Sequence, residues 1–188
     1  MSLTEKIESF LEGSYAGKDT AVYRDLSLNL KKVLDDSSPL DLKEKLINLA
    51  ALSRSLHWDE LEHFSTIQLK EAGVTDPEIE EAFEAAAIMG MLNTYYKFKS
   101  FLSAEVLSDS AYQRAGLRMN SLSKPLNGKA QFEMMALAVS VVNGCPTCVS
   151  SHEKALTDIG VGRDKIHELA RLASILKGLS CLKIVTTR

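Results

Sequence analysis

Apolar residues recur every three to four positions along almost the whole chain, and no sustained alternation of period two interrupts them. The pattern therefore predicts helices and no sheet. "LKEKLINLAALSRSL" starts behind Asp41 and "SSP", with Pro39 as an entry residue. Gly73 closes "ELEHFSTIQLKEAG", and "TDPEIEEAFEAAAIMGML" opens with an acidic first turn around Pro77. Gly116, "SKPLNG", Asn143-Gly144, Gly160 and Gly162 supply later breaks. The expected fold is all-α, with about eight helices.

The helical pattern also repeats itself. At an offset of 87 residues, "LKEAGVTDPEIEEAFEAAAIMGML" (Leu69 to Leu92) aligns with "LTDIGVGRDKIHELARLASILKGL" (Leu156 to Leu179). Leu69, Gly73, Val74, Ile79, Ala86, Ile88 and Leu92 each meet the same residue in the second copy, and "LINLAALS" falls on "EMMALAVS". Two helical-hairpin halves, about 44–100 and 131–187, are expected to share one core. At 188 residues the chain reads as a single domain, 1–188, that buries roughly 70% of its unfolded surface without help from metal or disulfide.

Net charge of −3 and a pI of about 5.8 argue against a nucleic-acid surface. The two lysines among the aromatics of "TYYKFKSF" fit an amphipathic helix end better. "MSLTEKIESFLEG" lacks the basic start and apolar core of a secretory signal, and the longest apolar run, "MMALAVSVV", is too short to span a bilayer. The expected setting is the cytosol, away from membranes, where thiols stay reduced and a close cysteine pair points to catalysis, redox sensing or metal.

That pair lies in "NGCPTCVSSHEKAL". Cys145 and Cys148 are followed by His152, which is four residues beyond Cys148 on the same helix face. Pro146 suits a first helical turn, so Cys145 takes the cap and Cys148 the opening turn, where the helix dipole favours thiolate. The preceding helix, "FEMMALAVSVV", is apolar except for Glu133 and Ser140, so a carboxylate there needs a partner or a route to water. Asn143-Gly144 turns the chain back. Glu133 and His152 then lie roughly 15 Å and 12 Å from the bend, at similar heights on adjacent helices. The implied order is carboxylate, imidazole, thiol: a proton relay. The first copy carries Trp58, Leu61, Ser65 and Leu46 opposite Cys145, Cys148, His152 and Glu133. Since one half stands without these reactive groups, they are not required for packing in the other.

Three readings of the pair remain: half a zinc site, a redox dithiol, or two buried thiols. Zinc would want a second ligand pair, and His167, Glu133 and Cys181 do not form one. A thioredoxin-like motif would follow a strand. Cys181 reads as a small buried or surface thiol, His57 and His63 as surface or interface residues, and "AAAIMGML" as a close-packing helix. No motif implies a bound cofactor or a metal.

"AAAIMGMLNTYYKFKSFL", "GLRMN", "FEMMALAVSVVNGCPTCVSSHEKAL" and "GVGRDKI", in this order, resemble the alkyl hydroperoxidase D (AhpD) proteins within the wider carboxymuconolactone decarboxylase-like group. The likeness runs from about Leu26 to Val185, and its specific signature is Glu-x11-Cys-x-x-Cys-x3-His. The resemblance implies a homotrimer of duplicated helical subunits acting as an antioxidant oxidoreductase on organic hydroperoxides. It also implies a dithiol reduced by lipoyl groups of a 2-oxoacid dehydrogenase subunit and able to regenerate an AhpC-type peroxiredoxin. By position, Cys148 resembles the peroxide-reactive cysteine that passes through sulfenic acid. Cys145 resembles the proton donor and resolving partner in a Cys145–Cys148 disulfide, and Glu133 and His152 match the relay. Well-studied members often carry a histidine where this chain has Thr147, so rate and pH profile are expected to differ. The rivals are a decarboxylase of the wider group, which has no need of the cysteines, and a redox-sensing or metal-binding module without turnover.

Overall fold

The computed structural model describes residues 1–182, with Ser121 and Leu122 described by backbone alone. Positions 183–187 of the expected second copy lie outside the described residues. Two helices, α1 (Leu3–Ser14) and α2 (Ala21–Leu34), precede the first copy, which is α3 (Leu42–Ser55), α4 (Asp59–Glu71) and α5 (Asp76–Ser100). Single-turn helices α6 (Ala104–Leu107) and α7 (Ser110–Gln113) and a 3-10 turn at Asn120–Ser123 cross to the second copy. That copy is α8 (Lys129–Asn143), α9 (Pro146–Asp158) and α10 (Arg163–Leu182). The described residues are all-α and contain no strand. Eight helices have at least 12 residues, and the two further single-turn helices are too short to leave a periodic signal.

Helices α3, α4 and α5 start 87 residues before α8, α9 and α10 respectively. The sequence repeat is thus a repeat of helix boundaries, each set by local chemistry. Asp41 caps α3 in a reciprocal box with Glu44, and at the start of α5 the Glu78 carboxylate accepts both the N–H and the hydroxyl of Thr75. Pro77 and Pro146 occupy first-turn positions. Helices α3 and α8 pack on each other and are buried on nearly all sides, because neither carries a continuous polar face. The main hydrophobic cluster runs from Ile7 to Leu179 and draws on both copies. A smaller one, with Leu40, Met134, Leu137, Leu156, Ile166 and Leu169, lies under α9. Helix α5 packs against α8 and α9, which brings the first copy's longest helix to the second copy's cysteines.

Both copies turn from their first to their second helix in the same way. In the second, Gly144 is left-handed (φ 64°); its N–H reaches the Val141 carbonyl and the Cys145 N–H reaches the Ser140 carbonyl. In the first, His57 holds the same conformation (φ 53°), with its N–H on Arg54 and that of Trp58 on Ser53. A Cβ is disfavoured in this backbone region. His57→Gly is therefore expected to stabilise the fold by up to about 1 kcal/mol, and Gly144→Ala to destabilise it by a similar amount. Paired urea titrations check both; equal midpoint shifts of one sign would contradict the account.

Candidate active site

The shared turn places Cys145 from two sides at once. Its backbone N–H completes the end of α8, while its side chain caps α9: Sγ accepts the N–H of Cys148 at 3.3 Å. Pro146 then starts the helix without a donor to spare. One turn of helix from cap to third residue sets the two cysteine Cα atoms 5.3 Å apart, within disulfide reach, and the sulfurs are bonded as Cys145–Cys148. The two differ in access. Cys145 is 0% exposed, whereas Cys148 is 6% exposed and lines a cavity of about 310 Å³.

Helix α9 folds back along α8, and the carboxylate and imidazole meet: Glu133 Oε2 lies 2.7 Å from His152 Nδ1. An ionised carboxylate has no proton to give, so Nδ1 is the donor and Nε2 is left as the acceptor. Both side chains keep some contact with water, at 19% and 17% exposure, so the pair is neither stranded in the core nor screened as a surface pair would be. His152 lines the same cavity as Cys148. Thr147 and Ser151 complete the α9 side, and Met89, Leu92, Asn93 and Tyr96 of α5 form the opposite wall. Such an arrangement can take a proton from the Cys148 thiol into the imidazole and hold the resulting cation against Glu133. It can do so beside a largely apolar chamber that suits the organic group of a substrate.

In the first copy large apolar side chains stand in place of the cysteines. Trp58 and Leu61, opposite the two cysteines, and Leu46 and Ser65, opposite Glu133 and His152, are all buried. The Phe10 ring of α1 lies 4.9 Å from that of Phe64, the counterpart of Ser151, and Tyr15 stacks edge-on against Trp58. Tyr15 also donates its hydroxyl to the carbonyl of Leu179, the counterpart of Leu92 on the cavity wall. Burial pushes that phenol well above its usual range, which keeps it protonated as a donor. Phe10 and Tyr15 thus pack over the aromatic counterparts of the cysteine site, beside a separate cavity of about 1150 Å³ between α1 and α4 that Phe10, Trp58, Glu60 and Phe64 help to line.

Cys181 is exposed and free, and His57, His63 and His167 are exposed and apart from the cavity. Among the described residues no group of three or more His, Cys, Asp or Glu side chains is placed to hold a metal ion. No helix among them is long and apolar enough to cross a membrane. The sequence pattern did not single out the α5 wall. Asn93 carried a signal there: it is a polar residue within the buried stripe of Met89 and Leu92, as Glu133 is within α8.

Residues 110–182 match the carboxymuconolactone decarboxylase family. Over 157 residues the chain is 39% identical to the alkyl hydroperoxide reductase AhpD of Anaeromyxobacter dehalogenans (strain 2CP-1), covering 81% of this chain and 80% of that protein. It is 37% identical over 168 residues to the protein of the same name from Mycobacteroides abscessus, covering 81% and 92%. The Coxiella burnetii (strain Dugway 5J108-111) protein of that name is 34% identical over 168 residues, covering 88% and 92%.

Proposed function

The chain belongs to the alkyl hydroperoxide reductase AhpD family, and from that membership and the geometry of the site we propose that it reduces organic hydroperoxides with the Cys145–Cys148 dithiol. The observation that carries this reading is the shared cavity. Cys148, and not Cys145, lines it, next to an imidazole whose other nitrogen is held by Glu133.

In the reduced protein His152 Nε2 takes the Cys148 proton, directly or through one water. The thiolate attacks the terminal oxygen of ROOH; the S–O bond forms as the O–O bond breaks, and the departing alkoxide takes the proton from His152 to leave as ROH. Cys148 is then a sulfenic acid. Cys145 attacks that sulfur, the S–S bond forms, and hydroxide leaves with the Cys145 proton as water. The sum is ROOH plus dithiol giving ROH, water and disulfide. An external dithiol then attacks Cys148, the accessible sulfur, and expels Cys145 as thiolate, where the N–H of Cys148 already points at it.

The same reading assigns the reductant to a lipoyl-type dithiol, carried by a 2-oxoacid dehydrogenase subunit, with no bound cofactor or metal. It assigns an AhpC-type peroxiredoxin as a recipient of electrons, the cytoplasm as location and a homotrimer as the assembly. Light scattering tests the last of these. The central assay follows loss of an alkyl hydroperoxide with excess dihydrolipoamide. Turnover that needs both protein and dithiol supports the reading, and a protein inert under these conditions contradicts it.

The match to the carboxymuconolactone decarboxylase family keeps one rival in view. A Cys145→Ser/Cys148→Ser double variant separates them. We expect it to lose all dithiol-dependent peroxide reduction, whereas a decarboxylase working by acid–base groups would be untouched by the exchange.

A further inference from the structure

We propose that Asn93 is a positioning residue for the dithiol, acting from the opposite half of the chain on the turn that carries Cys145. The proposal rests on reading Cys145 and Cys148 as an exchanging dithiol.

Asn93 belongs to α5 and is 1% exposed. Its Nδ2 donates to Ser140 Oγ at 2.9 Å, and its Oδ1 accepts from Asn143 Nδ2 at 2.9 Å. One helical turn on, Lys97 Nζ donates to the Asn143 carbonyl at 3.2 Å. Ser140 is in turn the residue whose carbonyl receives the Cys145 N–H. Four side chains, Asn93 and Lys97 of α5 and Ser140 and Asn143 of α8, therefore fix the residues that lead into Gly144 and the capping sulfur.

The first copy shows that the turn does not need this support. There His57 and Trp58 form the same pair of backbone bonds, yet Ser53 turns its hydroxyl to its own helix at Ala50, and Leu56 stands opposite Asn143. Ser180, opposite Asn93, bonds back to Lys177. The cross-helix network is confined to the copy in which the next residue is a cysteine. Burying an amide with both its nitrogen and its oxygen partnered is a structural commitment that leucine at the same place would avoid. What it supplies is a fixed position for Cys145 Sγ relative to Cys148. Closing the disulfide depends on the effective concentration of one sulfur at the other, which falls steeply with small displacements. Asn93 is thus assigned to the resolving half of the cycle, not to the first attack on peroxide.

The test is equilibration of the reduced protein with glutathione, in which dithiol and oxidised glutathione give the disulfide and two reduced glutathiones. Asn93→Ala leaves Asn143 Nδ2 and Ser140 Oγ without their partner. It is expected to lower the equilibrium constant for closing the disulfide about tenfold, a rise of about 30 mV in potential. Asn93→Asp can still accept from Asn143 and from the Ser140 hydroxyl, and should return the constant to within about twofold of the parent. Lys97→Met, on a wetter part of the network, should move it the same way by about threefold. An unchanged constant in Asn93→Ala would overturn the proposal, as would Asn93→Asp giving a constant no better than Asn93→Ala. No peroxide enters this measurement. A protein inert to hydroperoxide with a shifted disulfide equilibrium would overturn the proposed function and leave the role of Asn93 standing; active protein with no shift would do the reverse.

Discussion

Cys148→Ser is expected to reduce hydroperoxide turnover to the rate of the uncatalysed mixture. Cys145→Ser should consume one equivalent of hydroperoxide and then stop. The asymmetry follows from access. Cys148 opens onto the cavity, while Cys145 is fully enclosed between the end of α8 and the start of α9. A hydroxyl at 148 is far too weak an acid to be ionised by a histidine near neutral pH, so the first variant loses its nucleophile altogether. In the second, the sulfenic acid forms but has no neighbouring thiol to close on. Stopped-flow peroxide consumption without added reductant separates the two: no burst for Cys148→Ser, and one equivalent for Cys145→Ser. A full burst from Cys148→Ser would contradict this order and move the first attack to Cys145.

The second large effect concerns the pair behind the thiol. His152→Ala removes the group that accepts the proton and should lower turnover by about 10² or more. Glu133→Gln is subtler. The amide oxygen can still receive the Nδ1 proton, so the ring remains in place, but the negative charge that stabilises an imidazolium is gone. A loss of about 10- to 100-fold is expected, the range found when the hydrogen-bond partner that orients a metal-ligating imidazole is removed. The pH profile carries the diagnosis. With the charge at 133 removed, the midpoint for iodoacetamide alkylation of Cys148 in the reduced protein should move to higher pH. A purely structural role would lower stability and leave this midpoint where it was.

Much of this site was legible in the chain. The cap-and-first-turn placement of the cysteines follows from Pro146 and the Asn143-Gly144 break, because both act through the local backbone. The meeting of Glu133 with His152 is a consequence of helical rise on two antiparallel segments joined by a short turn. The duplication gave an internal control, since positions stripped of reactive groups in one half identify them in the other.

What the pattern could not carry is what depends on contact between distant segments. The cavity wall of Met89, Leu92 and Tyr96 comes from α5 docking on α9, and periodicity says only that such a face is buried. The Asn93 network joins residues 47 and 50 positions apart, and no spacing rule links them. The packing of Phe10 and Tyr15 against Phe64 and Trp58 was likewise hidden, since α1 reads as an ordinary amphipathic helix whichever surface it covers. Helices α6 and α7 have four residues each, too few for any period to register.

The central claim is that one sulfur, made nucleophilic by a carboxylate-held imidazole, meets the peroxide first. Brief exposure of the reduced protein to substoichiometric alkyl hydroperoxide with dimedone present, followed by peptide mass spectrometry, tests it most directly. The account predicts a sulfenic-acid adduct on Cys148, more abundant in Cys145→Ser and nearly absent in His152→Ala. A first adduct on Cys145, or one on Cys148 that forms equally fast without the histidine, would contradict it.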